Sequence, residues 1–466
     1  MSEPKSVDRA RVIVIGAGAA GLAAAQTLHA AGLAVRVLEA RSRIGGRVWT
    51  NRAFTAYPIE NGAEFIHGNT AATWHALQKI AATNPQRAAT SQALTRKNFL
   101  YFVDNGWQHM EELARDPDWA RAFTLESAEL PKFDSQSGDM SVRDWVASFH
   151  LAPAAGHSAM RFMAHPYLAE PEEMGVADIA HEARVQHAGS GNFRIHAGYD
   201  VVIQHLASGL DVRLNTAVTH IDWGERPSGG SSDGVVVHTA ASQALRASAV
   251  IVTVPLPVLQ QDALTFDPPL PEAKRHAIQA LRMGPVVKLH LLFRERFWPD
   301  DTSIFSGSGD MPVWWPPAFG RERSEDQPPH VLTAFVGAKR ALALDAMTNE
   351  AVADHALNAL CQMFTRAPHG EVGAQPEYVS DLPRRTFIKL ERVSWQTDPW
   401  ARGGYTFVPT GAYGARQALA EPVGGRVFFA GEATVFDSNP ATVHGALESG
   451  WRAAREVMRD LVQVTR

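Results

Sequence analysis

The sequence predicts a mixed α/β and α+β protein: a Rossmann-type dinucleotide-binding domain, discontinuous along the chain, with a second domain inserted into it. Three observations carry this. Residues 11–39 run strand, glycine turn, helix, strand and terminal acid without a break. Residues 249–257 hold a second run of buried-strand type, Ala249-Val250-Ile251-Val252-Thr253-Val254, stopped by Pro255 and Pro257. Residues 425–432, Gly425-Arg426-Val427-Phe428-Phe429-Ala430-Gly431-Glu432, form a third that ends in Gly-Glu.

In the first unit, residues 11–15 are rich in Val and Ile, the pattern of a buried parallel strand. Gly16-Ala17-Gly18-Ala19-Ala20-Gly21 matches G-x-G-x-x-G, and residues 22–31 are rich in Ala and Leu, a helix stopped by Gly32. Residues 34–38 are the next strand, with Glu39 at its end. Gly16 permits the tight turn, Gly18 lets backbone approach a pyrophosphate, and Gly21 lets helix and strand pack closely. The amides at the helix start present partial positive charge to phosphates, with Ala19 and Ala20 of the turn counted among the cofactor contacts. Glu39 accepts from a ribose hydroxyl and disfavours a 2′-phosphate. Ala40, Arg41, Gly45, Gly46 and Arg47 follow at once. They read either as a solvated basic loop or as a second wrap around the phosphates.

This stretch resembles the E-A-R-x-R-x-G-G-R segment of FAD-dependent amine oxidases of monoamine and polyamine oxidase type. The resemblance implies FAD and an amine-oxidase/glutathione-reductase-like architecture. Residues 1–80, 189–270 and 394–466 would form the FAD-binding domain, and 81–188 and 271–393 the substrate-binding domain. Ile59-Glu60-Asn61-Gly62-Ala63-Glu64-Phe65-Ile66-His67-Gly68 resembles the family's G-A-x-W/F-I-H-G segment. That implies cofactor contacts at Gly62, Ala63, Glu64 and Phe65, and a substrate cavity faced by Glu64 and His67; unaided, the two read as surface or hydrogen-bonded residues. The family gives the backbone of the residue at Val218 to the adenine.

In Met283–Phe293, Lys288, His290 and Leu292 share one strand face, and Val287, Leu289, Leu291 and Phe293 the other. Read alone, Lys288 is an edge-strand lysine. The family's G-x-x-x-K motif places a lysine here, joined to flavin N5 through a water. Residues 395–405 resemble the W-x-x-D-P-x-x-x-G-x-Y segment, with Trp395 along the isoalloxazine and Tyr405 as one wall of an aromatic cage. Gly404 stands where monoamine oxidases attach flavin to a cysteine, which implies non-covalent FAD. Glu432, after Gly431, matches the residue near the ribityl and pyrophosphate. Asn439 is predicted to cap a helix with Pro440 at its first position, running to about Val457. Its start, with Thr442 and Val443, would point at the flavin pyrimidine ring. Thr442 occupies the place of a second cage tyrosine, a form closer to flavin histone-lysine demethylases and some polyamine oxidases.

Elsewhere the sequence is plainer. Residues 70–131 mix helical patterns with polar breaks, and 135–139 read as a loop. Ser141 opens a capping box before Trp145, and the chain is helical to about Ala188. Residues 201–206 read as a helix; 212–214, 218–223 and 235–238 read as strands, with a turn at 224–234. Residues 268–271 are a rigid linker and 321–330 a solvated loop. The lone cysteine, Cys361, permits no intrachain disulfide and is expected as a buried thiol beside Val352, Ala356, Leu357, Leu360 and Phe364.

At 466 residues the chain predicts two or three domains. A formal charge of −5 gives no case for nucleic acid and leaves room for a cationic ligand. No apolar run of about 18 residues exists to cross a membrane, residues 1–9 carry no apolar leader, and no metal-ligand set is read; the expected location is the cytoplasm. The resemblance implies oxidation of a C–N bond in a polyamine or other primary or secondary amine. The product is an imine and then an aldehyde, and dioxygen becomes hydrogen peroxide. Lys288 would hold water near N5, Tyr405 and Trp395 would shape an apolar slot, and Glu64 and His67 would attract a distal ammonium. The alternatives are an L-amino-acid oxidase or other FAD oxidoreductase of this fold, and a non-catalytic FAD-binding protein. Oligomeric state is not legible.

Overall fold

A computed structural model describes residues 11–463 apart from 95–97, 104–105, 136–137, 225–233, 307–310, 322–329 and 365–380. The predicted turn at 224–234 and loop at 321–330 fall almost wholly outside the described residues, as does part of the 135–139 loop.

The three apolar runs come together in one five-stranded sheet, ordered Asp211–Arg213, Val35–Leu38, Val12–Ile15, Ala249–Val252, Val427–Phe429. Every pairing is parallel, with Val12 opposite both Val35 and Ala249. Val12 and Val14 face one core and Ile13 and Ile15 another, which is why the strand reads as apolar throughout. The first core holds helix Ala19–Ala30, which starts earlier than residue 22 because Gly18 is already its cap. That helix lies along the last one, Val443–Gln463. A Cβ on Gly450 would sit 2.2 Å from the Ala20 carbonyl oxygen, so the two backbones touch where no side chain fits. The second core holds the meander Val218–Asp222, Val235–Thr239 and Ala244–Ala247, and helices Glu272–Ala280 and Ala415–Ala420.

A seven-stranded sheet forms the other half, in the order Phe387–Ser394, Val286–Phe293, His330–Gly337, Val313–Trp315, Ile304–Ser306, Phe99–Val103, Gly106–His109. The lysine strand Val286–Phe293 is therefore interior, bonded on both sides, and not an edge. Its Val287, Leu289, Leu291 and Phe293 pack under helix Asn349–Met363, while Lys288 and His290 are buried on the opposite face. A separate helical lobe includes Val142–Ala147, Pro153–Ala164 and Val176–Val185; Ser141 caps the first, its Oγ accepting from the Asp144 amide at 3.1 Å.

Two expectations need correction. Residues 70–131 contain strands Thr90–Leu94, Phe99–Val103 and Gly106–His109 as well as helices. Phe99–Val103 pairs with Ile304–Ser306, a contact too remote in sequence for local periodicity to reveal. Cys361 is half-buried at the margin of its helix rather than in the core, where Met363 sits instead; burial still pushes its thiol up. Among the described residues no helix is long and apolar enough to cross a membrane.

Replacing Gly450 tests the helix contact. In an open helix Gly→Ala adds about 1 kcal/mol of stability. Here Gly450→Ala should lower the midpoint of thermal unfolding, because its new methyl meets fixed backbone.

Candidate active site

A cavity of about 870 Å³ opens where the parallel strands end. Ile15-Gly16, Leu38-Glu39 and Thr253 line it from the carboxyl edge of the sheet, the usual ligand position in such sheets. The helix Ala19–Ala30 has no side-chain cap, so its first amides are left for an anion. A Cβ on Gly18 would meet nothing within 4 Å: the protein leaves that space empty. Gly45 donates its amide to Ala17 O at 2.8 Å and bridges Gly18, laying the second glycine pair against the first. Gly45 and Gly46 have φ of +100° and +56°, which favours glycine at both. Glu39 is buried, its two oxygens fixed by the amides of Ala17 (2.7 Å) and Arg41 (2.9 Å), a rigid acceptor for ribose hydroxyls. Gly21 does not line the cavity; a Cβ there would lie 2.0 Å from Gly16 O, so it serves packing.

The basic loop is not a solvated one. Arg41 pairs with Asp398, and Arg47 donates to Glu432 Oε1 (2.8 Å) and Gly404 O (2.6 Å). These pairs hold the segments at 395–405 and 431–432 against the glycine turns. Gly62 must be glycine, since a Cβ would meet Arg47 O at 1.9 Å and Trp395 Cζ2 at 3.2 Å. Trp395 is buried and donates Nε1–H to Asn61 O at 2.9 Å. Ala19, Ala20, Ala40, Ala63, Phe65, Val218, Gly431 and Val443 complete this part of the wall. A cradle for two phosphates, a ribose acceptor and a flat Trp-lined wall fit a flavin dinucleotide.

The family model described as flavin containing amine oxidoreductase matches residues 19–458. The chain belongs to that family. Its cofactor is FAD. Human lysine-specific histone demethylase 2 is 30% identical over 97% of this chain and 54% of its own length; the chain thus spans about half of that relative. Probable polyamine oxidase 5 of Arabidopsis thaliana is 28% identical over 97% of this chain and 98% of its own. A solved putrescine oxidase bound to putrescine superposes with a TM-score of 0.74 at 21% identity, covering 97% of this chain and 99% of that one.

Lys288 is buried on the cavity wall. Its ammonium donates to Glu60 O (2.7 Å), Gly62 O (2.9 Å) and Glu64 Oε2 (2.9 Å). Glu64 is therefore not a free anion for a distal ammonium, and that expectation is corrected. Burial opposes its ionisation, but Lys288 and Arg194 hold its carboxyl down at about 2. His67 faces the cavity with Nδ1 2.5 Å from Asn192 Oδ1, and enclosure by protein lowers its pKa. Tyr405 donates to Pro166 O at 2.5 Å. At Gly404 a Cβ would meet Leu168 Cδ1 (2.4 Å) and Val286 Cγ1 (2.7 Å), so a side chain there would require these two to repack, and no cysteine stands at the position. Thr442, not Asn439, caps the last helix: its Oγ1 accepts from the Gly445 amide at 3.0 Å, and the helix runs to Gln463. Ala441, with φ +59°, separates Pro440 from the helix.

Sequence reasoning missed Glu182. It lines the cavity from helix Val176–Val185, accepting from Tyr167 Oη (2.6 Å) and Asn439 Nδ2 (3.0 Å). Burial raises its carboxyl to about 7 against those two hydrogen bonds. Its only signal was an acid three positions past buried Ile179, on the inner side of an amphipathic helix.

Gly18→Ala separates cofactor space from protein packing. The flavin-free protein should change by no more than about 1 kcal/mol, the cost of a poorer cap. The FAD content after purification, read from the visible-to-ultraviolet absorbance ratio, should fall severalfold.

Proposed function

We propose that the protein oxidises a primary or secondary amine carrying a second cationic nitrogen, a diamine or polyamine, with dioxygen as electron acceptor. The observation that carries this is the placement of charge on the cavity wall. Arg41 and Arg47 are each paired with a carboxylate, Asp398 and Glu432. Glu126 and Glu182 also line the wall, and Glu182 keeps lone pairs free beyond its two hydrogen bonds. A cationic tail is favoured there, and among the described residues of the wall no unpaired arginine offers itself to an α-carboxylate, which weighs against an L-amino-acid oxidase.

Bound FAD supplies the two-electron acceptor that turns the amine into an imine, which water hydrolyses to an aldehyde, and dioxygen reoxidises it with release of hydrogen peroxide. The chain's own residues orient and exclude. Trp395 and Tyr405 form apolar walls that favour the uncharged reacting amine. With Nδ1–H directed at Asn192, His67 presents the lone pair of Nε2 to the cavity and can accept an amine N–H. Lys288 keeps a fixed positive charge on the wall; its three N–H donors are held by Glu60 O, Gly62 O and Glu64 Oε2, so the expected donation to a water near N5 gives way to a purely electrostatic role.

A peroxide assay with putrescine, spermidine, spermine, butylamine, aromatic amines and L-amino acids tests the reading. Turnover of the diamines and polyamines is expected; activity confined to amino acids overturns it. The Glu182 carboxyl gives a pH signature. Because its pKa is raised, the anion that attracts a cationic tail forms as pH rises through about 7. The KM ratio of putrescine to butylamine should fall over that interval, cancelling the titration of the reacting amine. Glu182→Gln should abolish the trend and raise the putrescine KM roughly tenfold, the worth of one charge-assisted hydrogen bond.

A further inference from the structure

Lys288 belongs to a buried charge chain. An ammonium has three N–H donors, and here they meet Glu60 O, Gly62 O and Glu64 Oε2. The other Glu64 oxygen, Oε1, accepts from Arg194 Nε (3.0 Å) and Trp315 Nε1 (3.0 Å) and lies 2.9 Å from Arg194 Nη2. Arg194 is itself anchored through Nη1 to Phe319 O at 3.0 Å and covers the Phe65 ring at 5.3 Å. The Lys288 ammonium lies 5.4 Å from the Trp315 ring centre. Side-chain exposure is 5% for Lys288 and 3% each for Glu64 and Arg194, so the chain is buried and its charges act on one another with little solvent screening.

One carboxylate would suffice to neutralise one lysine. The second cation, on the opposite oxygen, does two further things. It locks Glu64 so that only Oε2 reaches Lys288, which fixes the direction of the ammonium. It also leaves the set Lys⁺–Glu⁻–Arg⁺ with one net positive charge beside the cavity. A buried ammonium facing a guanidinium without the intervening carboxylate sheds its proton more easily.

We infer that Glu64, braced by Arg194 and Trp315, is the positioning residue that keeps Lys288 fixed and charged on the cavity wall that would hold the flavin. This rests on the reading that Lys288 works on the flavin, and the test separates the two. Other groups facing the chain are Glu60, whose burial raises its carboxyl to about 7, His290, which burial holds neutral at about 3, Arg321 and Tyr57. Glu60 titrates inside the measured interval and feels the charges of both Glu64 and Lys288, so the comparison is repeated in a Glu60→Gln background, where the remaining difference curves isolate Lys288.

The experiment measures the flavin midpoint potential and the rate of reoxidation by dioxygen for holoenzyme between about pH 6 and 9. It compares wild type, Glu64→Gln, Glu64→Asp and Lys288→Met. Glu64→Gln is expected to match or exceed the wild-type potential at the acid end. It should fall progressively below at the alkaline end, reaching the Lys288→Met value, with reoxidation roughly tenfold slower there. Glu64→Asp, which keeps the charge, should restore most of the wild-type profile. A Glu64→Gln profile that superimposes on wild type while Lys288→Met departs from it overturns the inference. If Lys288→Met also superimposes, the role of Lys288 itself fails. Should Glu64→Gln not retain flavin, Arg194→Met decides. Losing one net positive charge should lower the potential at every pH with no new pH dependence, and an unchanged potential overturns the inference.

Discussion

One buried ammonium ties the molecule together. Lys288 stands on an interior strand of the seven-stranded sheet, where an unpaired charge would be prohibitively costly. Its acceptors come from the other half of the protein, in the segment 60–64 that follows the glycine turns. The lysine can be buried only if that segment crosses to meet it, and the segment can cross only if Gly62 lets Arg47 and Trp395 pass. The arginines repeat the logic: Arg41 and Arg47 are satisfied by residues hundreds of positions away, Asp398 and Glu432. The cavity is thus bounded by charges that must find each other, and the fold that satisfies them also sets the reactive wall.

Features with a local cause were legible in the sequence. The glycine turn, the strand before it and Glu39 each need particular residue types at fixed spacing, and all three stand where the spacing puts them. The two-faced burial of Val12–Ile15 shows as unbroken apolar character. What depended on distant partners was not legible. Glu64 could be assigned to the cavity, but only Arg194 and Trp315, from two other strands, reveal that its charge is already committed. Phe99–Val103 needed its remote partner strand to be recognised as a strand. Asn439 and Thr442 are both good caps, and the positive φ of Ala441 decided between them, a backbone property no pattern of side chains announces.

Glu182 shows the same limit from the other direction. A single acid in a motif-free helix carries almost no information until Tyr167 and Asn439 are seen to hold it at the cavity.

Gly404 has a consequence outside catalysis. It brings no thiol to the place of attachment, so a prosthetic group without a covalent link elsewhere is retained by reversible contacts. The active fraction of the protein then follows the free flavin nucleotide supply by mass action, and ligand occupancy becomes part of its folding stability. Starvation for the vitamin precursor would thin the population of intact molecules as well as silence them, and a chemically altered flavin could be exchanged into the finished protein.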